Sequence, residues 1–241
     1  MRLVRFRLCG DATARAGELA GETIRSAGET FALDDVQLLA PCVPTKIVCV
    51  GKNYVEHAEE MGGEVPDEPL LFFKPPSAVI GPEGEIVLPA NAAVHHEAEL
   101  AVVIGAQCRR VPAGRARDMI LGYTCLNDVT DRTAQQWERN WVRAKGFDTS
   151  APLGPWIVPR DEIEEPFHVT LALNGEIRQD GWTSAMAFPI PRLIETISAV
   201  MTLEPGDVIA TGTPAGVGLL SHGDLVEVTI DGIGTLRNHV R

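Results

Sequence analysis

The chain has 241 residues, 45% of them hydrophobic and 22% charged, enough length and apolar content for one sizeable core. Its 33 acidic against 21 basic side chains leave a formal charge of -12, which argues against a nucleic-acid or anionic-membrane surface, because both attract basic patches. A small anionic ligand would therefore need a local cluster of positive charge or a metal.

The first residues, "MRLVRFRLCG", read as a charged, alternating strand without the apolar core of a signal peptide, and no apolar run approaches ~18 residues, so a cytoplasmic protein is expected. Residues 1 to about 44 read as two or three short strands with polar turns. The prolines of "PCVPTK" mark a boundary near Pro44, which gives a small N-terminal β subdomain (1–44) and a main domain (45–241). "KIVCVG" is a short buried strand, and "NYVEHAEEMGG" a short helix stopped by Gly62 and Gly63. The acidic, Pro-containing run after those glycines makes residues 56–66 a candidate lid.

"PLLFFKPPSAVIGPEGEIVLP" suits strands at a sheet rim. In "VHHEAELAVVIG" the second half is a buried strand, and alternation puts Glu97 and Glu99 on one face, with His96 opposite as a packing or supporting residue. Two carboxylates beside a buried run are costly unless one is protonated or a cation lies between them. A helix from about Pro112 to Leu121 is predicted to lead into a strand ending near Asp128, followed by a helix and a loop in "DRTAQQWERNWVRAKG". "FHVTLALNGEIRQ" is a hairpin signal, "IPRLIETISAVMTLEPGDVIATGTP" a helix, a turn and a strand, and "DLVEVTIDGIGTLRNHV" a closing hairpin. Strands outnumber helices and lie close together, which indicates a mixed, β-rich α+β fold and not a doubly wound one. Neither a G-x-G-x-x-G between strand and helix nor a G-x-x-x-x-G-K-[ST] occurs.

Asp128 at a strand end would add a third oxygen donor to Glu97 and Glu99, a set suited to hard divalent ions such as Mg²⁺, Mn²⁺ or Ca²⁺. His57 and Glu60 are three apart on the predicted helix, a spacing that allows a carboxylate-oriented histidine, although such a pair usually makes a solvated helix surface. Lys145, Arg132 and Gln135 are candidates for a substrate carboxylate, and Thr213 with neighbouring amides for an oxyanion; each also fits ordinary surface or turn chemistry. Trp137, Trp141 and Trp156 read as packing. The five cysteines form an odd set without a C-x-x-C pair and read as reduced, mostly buried residues.

The blocks "VCVGKNYVEHAEEMG", "LFFKPPSAVIGPEGEIVLP", "HHEAELAVVIG", "GYTCLNDVTDRTAQ", "RAKGFDTSAPLGPWIV" and "LEPGDVIATGTPAGVG", in this order over residues 46–240, resemble the fumarylacetoacetate hydrolase (FAH) family. They are most similar to its bacterial 2-hydroxyhepta-2,4-diene-1,7-dioate isomerase, acylpyruvase and oxaloacetate decarboxylase branch. The resemblance implies an FAH-type β-roll, a homodimer, and Mg²⁺ or Mn²⁺ (Ca²⁺ in crystals) on Glu97, Glu99 and Asp128. It further implies catalytic roles for His57, Glu60 and Lys145, and substrate contacts from Arg132, Gln135, Gly212 and Thr213. The implied activity is on small 2-oxo acids through a metal-stabilised enolate: acylpyruvate hydrolysis or oxaloacetate decarboxylation first, with isomerisation or oxaloacetate tautomerisation as alternatives. A metal and 2-oxo acid binding protein without turnover is the non-enzyme alternative.

Overall fold

The computed structural model describes residues 1–241, and its architecture is set by strands. The buried run "IVCVG" forms the strand Ile47–Gly51, which pairs antiparallel with Leu70–Lys74 and parallel with Val208–Ala210. Val208–Ala210 in turn pairs with Ala98–Ile104, all seven residues of which are buried. Ile120–Asn127 and Ala151–Pro159 continue the same 12-stranded sheet. A 5-stranded sheet carries the hairpins His168–Leu173/Glu176–Trp182 and Leu225–Ile230/Gly234–Val240. A 3-stranded sheet joins Val94–His96, Thr130–Asp131 and Gly218–Leu219. The result is a mixed, β-rich fold with a few short helices.

The helices are short: α1 (Val55–Glu60), α2 (Arg132–Trp137), α3 (Val142–Lys145) and α4 (Ile190–Val200). Only α4 has the apolar stripe of an amphipathic helix, burying Ile190, Leu193, Ile194 and Ile197. No helix is long and apolar enough to cross a membrane. A core cluster of 33 buried residues fills the space between the sheets and α4, and a second of 14 lies on the other face of the main sheet.

Several expectations change in detail. Residues 1–44 hold five strands, more than expected, because polar segments such as "RAGELA" and "ETFA" pair despite weak alternation. This segment packs its own cluster of Val4, Phe6, Leu19 and Ile24, and Leu3 pairs with Ile157 of the main sheet. The predicted helix at 112–121 is a 3-10 segment, Ala113–Met119; only Ala116 is buried, so no apolar stripe holds a full α-helix there. The loop expected after α2 contains α3, entered through Trp141 in a left-handed conformation (φ 57°). Trp137 is 63% exposed and is no part of the core. Trp141 meets Phe72 edge-on at 5.4 Å, and Trp156 donates to Ile233 O. Of the five free cysteines only Cys9 is exposed, and burial pushes the Cys42 and Cys125 thiols up to about 12.

Candidate active and metal site

The glutamate motif is a joint between sheets. Val94–His96 belongs to the 3-stranded sheet and Ala98–Ile104 to the main sheet, and Glu97 occupies the break between them. The expected single strand is therefore interrupted, because its two halves have different partners. Asn127 fixes the break by accepting from Glu97 N at 2.9 Å, and Asp128 N donates to Glu97 O at 2.8 Å. Asp128 directly follows the strand Ile120–Asn127, as the sequence indicates. One oxygen from each of Glu97, Glu99 and Asp128 lies within 4.8 Å of the others, and all three residues are buried.

Cations surround two of these carboxylates. Lys145 Nζ donates to Glu97 Oε2 and Asp128 Oδ2, each at 2.7 Å, and Arg132 Nη2 lies 2.5 Å from Glu97 Oε1. Lys74 Nζ is 2.8 Å from Asp128 Oδ1, but it donates to the carbonyls of Val129, Lys145 and Ser150 at 3.0, 2.6 and 2.7 Å. Three ammonium protons serve three carbonyls, and Asp128 Oδ1 remains buried without a hydrogen bond. Glu99 has no cation beside it and accepts only the Gly212 N–H, at 2.8 Å.

The electrostatics follow from that division. Burial alone would raise Glu97, yet the Lys145 and Arg132 charges hold it well below the usual carboxylate range. Burial and the neighbouring charges of Asp128 and Glu97 push Glu99 well above that range. Burial opposes the charge on Lys145, but Asp128 and Glu97 outweigh it and raise its pKa. Burial wins for Lys74, which is lowered in spite of Asp128. A divalent cation fits this donor set: three buried oxygen ligands, one without a hydrogen bond and one carboxylate without a cation, with no thiolate that would favour zinc.

Five of the remaining candidates line the same cavity of about 140 Å³, close to the ~150 Å³ that accommodates a benzene-sized guest, whereas Glu60 and Gly212 do not reach its wall. His57, Arg132, Gln135, Lys145 and Thr213 all contribute to its wall, with Phe72 and Trp141 as aromatic sides. His57 Nδ1 is 3.1 Å from Glu60 Oε2, so the helix spacing does produce a carboxylate-oriented imidazole. Glu60 Oε1 accepts from Gly216 N at 3.1 Å, which ties α1 to the glycine loop. Arg132 Nη1 donates to Gln135 Oε1 at 2.8 Å.

The structure brings Gly212 and Thr213 to the site with their donors engaged. Gly212 N holds Glu99, and Thr213 Oγ1 donates to Ala98 O at 2.8 Å. Gly212 has φ 99°, and a Cβ there would come within 2.8 Å of Asn53 Cβ, so only glycine fits.

Three supporting residues were missed. Lys74 is described above. Asn53 donates to Thr211 O (2.7 Å) and Phe188 O (3.1 Å) and accepts from Phe188 N, locking the loop before α1. Gln179 accepts from Ala98 N at 3.0 Å, donates to Thr213 Oγ1 and Pro214 O at 2.7 and 2.8 Å, and meets His96 Nδ1 at 3.0 Å. His96 is buried behind the site in the supporting role expected of it.

Residues 46–241 match the family model of the fumarylacetoacetate (FAA) hydrolase C-terminal domain. The chain belongs to the fumarylacetoacetate hydrolase family. Among FAH-family structures, that of a 5-carboxymethyl-2-hydroxymuconate delta-isomerase from Mycobacterium smegmatis is similar over 100% of this chain and 98% of its own, with a TM-score of 0.92 and 48% identity. A maleylpyruvate hydrolase from Sphingobium sp. SYK-6, in complex with manganese(II) ion and pyruvate, covers 100% and 98% with a TM-score of 0.85 and 33% identity. Oxaloacetate tautomerase YisK of Bacillus subtilis is 45% identical over 226 residues, 87% of this chain and 75% of that protein. FAH-family relatives are thus isomerases, tautomerases and hydrolases, and this chain carries the family's fold with a buried acidic triad.

Proposed function

We propose that the protein is a divalent-metal-dependent enzyme acting on small 2-oxo acids, with C–C hydrolysis of an acylpyruvate as the reaction its geometry supports best. The observation that carries this reading is His57 on the wall of the cavity that holds the three carboxylates, with Glu60 behind it at Nδ1. A cation held by Glu97, Glu99 and Asp128 would act as a Lewis acid toward the head of the substrate and stabilise negative charge developing there.

The chain's own residues supply the rest. With Glu60 accepting from Nδ1, the imidazole keeps Nε2 as a base that takes a proton from water. The resulting hydroxide attacks the C4 carbonyl; the C3–C4 bond breaks, and its electron pair stays on C3 as the enolate of pyruvate. His57 then returns the proton to C3, leaving pyruvate and a carboxylate. Lys145 adds fixed positive charge at the floor, while Arg132 and Gln135, paired with each other, present a polar wall to the substrate carboxylate. With oxaloacetate the same bond breaks with loss of carbon dioxide and no water is needed.

Purified protein with Mg²⁺ or Mn²⁺ is expected to release pyruvate from acetylpyruvate or oxaloacetate, and Glu99→Ala to abolish that release. Persistence of the activity in EDTA would remove the metal from the reaction. A second reading, isomerisation or tautomerisation of a 2-oxo dicarboxylate, is favoured by the names of two relatives above. It needs proton transfer without bond cleavage, so ultraviolet absorbance read beside a pyruvate assay separates the two.

A further inference from the structure

Three cationic side chains line the cavity, and two are committed to its carboxylates: Lys145 to Glu97 and Asp128, Arg132 to Glu97. The third, Lys52, makes no ion pair and no side-chain hydrogen bond. It follows the strand Ile47–Gly51 with φ 55°, a left-handed conformation that glycine adopts at less cost, so the chain keeps a lysine against its backbone preference. Its ammonium lies over Gly63. Glu99, Asp128 and Lys145 are almost fully buried at the floor, whereas Lys52 is half-buried and its neighbour Met61 is 39% exposed. Lys52 thus stands at the rim.

We propose that Lys52 is a specificity-determining residue that receives the distal carboxylate of those 2-oxo acids that carry one, and that it adds nothing to the binding of neutral ones. This rests on the reading that the 2-oxo acid head lies at the carboxylate floor. A distal carboxylate entering a protein of charge -12 needs a partner, and Lys52 is the cavity cation that has none. A flexible ammonium at a half-exposed rim suits ligands of more than one length.

The test compares 2-oxoglutarate with 2-oxopentanoate, which has the same chain length but a methyl group in place of the distal carboxylate; neither has the C4 carbonyl that hydrolysis requires. Affinities are measured calorimetrically on the full chain with Mg²⁺, using oxalate as a probe of the head site alone. The wild-type protein is expected to bind 2-oxoglutarate about tenfold more tightly than 2-oxopentanoate. Lys52→Gln should bring that ratio close to one, Lys52→Arg should keep most of it, and Lys52→Glu should invert it. A ratio near one in the wild type, or a ratio that survives Lys52→Gln, overturns the proposal while oxalate binding leaves the reading of the head site intact. Absence of binding for all three acids removes both. Circular dichroism of each variant separates lost preference from lost fold.

Discussion

Lys74 shows how much one side chain can hold. Its ammonium ties together Val129, Lys145 and Ser150, the backbone around two site residues, and places its charge 2.8 Å from Asp128. Removing Lys74 leaves three unpaired buried carbonyls and leaves Asp128 with Lys145 as its one remaining cation. Lys74→Met is therefore expected to destabilise the fold by about 3–5 kcal/mol, read as a fall in the urea midpoint at unchanged slope. A loss below about 1 kcal/mol would show that Asp128 does not depend on it. The sequence carried a signal for this residue: in "LLFFK" alternation puts Lys74 on the face of buried Phe72, opposite Phe73, which is 51% exposed. A lysine near a sheet rim reads instead as a solvent-facing edge residue. Glu97, Glu99 and Asp128 were legible because carboxylates beside a buried run demand an explanation. Gln179 was not, since an uncharged polar residue in a hairpin gives no hint that four partners converge on it.

The elements that deliver the site are two parallel strands, Ile47–Gly51 and Val208–Ala210, whose C-terminal ends lead into the segment before α1 and into Thr211–Thr213. Asp207 fixes their register from the opposite end. Its buried carboxylate accepts from Thr45 N (3.0 Å), Thr45 Oγ1 (2.7 Å), Lys46 N (3.2 Å) and Glu204 N (2.8 Å), and it pairs with Lys46 Nζ. Burial opposes ionisation, but these donors prevail and lower its pKa. A lowered folded pKa gives stability that is complete above the unfolded value of ~3.9 and lost as the pH falls through the folded one. Asp207→Asn should thus cost about 2–3 kcal/mol at pH 7, and the gap to wild type should close below about pH 4 in urea titrations. A gap constant from pH 7 to pH 3 would contradict the assignment. At this scale the sequence was most readable where turn chemistry is explicit, as in the Asn174-Gly175 hairpin with φ 54° and 82°. The 3-10 segment at 113–119 and the break at Glu97 were hidden because tertiary partners, not local pattern, decide them.

Across the whole molecule, the β-rich class was visible in strand spacing, but the neighbours were not: Ile47–Gly51 pairs with a strand near residue 208, and no local pattern announces such a partner. Those long-range pairings bring together a floor whose carboxylates repel one another, so the free energy of the fold is linked to cation concentration. At a hundredfold excess over its dissociation constant, Mg²⁺ or Mn²⁺ is expected to stabilise the chain by about 2.7 kcal/mol, or roughly 5–10 °C in melting temperature. Glu99→Gln should flatten that dependence in scanning calorimetry, and an equal shift in the variant would place the cation elsewhere. The left-handed residues at the rim have a different consequence. Lys52 and Trp141 (φ 55° and 57°) hang from turns, while Glu99 sits in the buried strand Ala98–Ile104 and is held by Gly212 N, just beyond the strand Val208–Ala210. Side chains on the turns can be exchanged during evolution without moving the floor, so one inherited reaction centre can be re-addressed to new substrates by a few substitutions at its entrance.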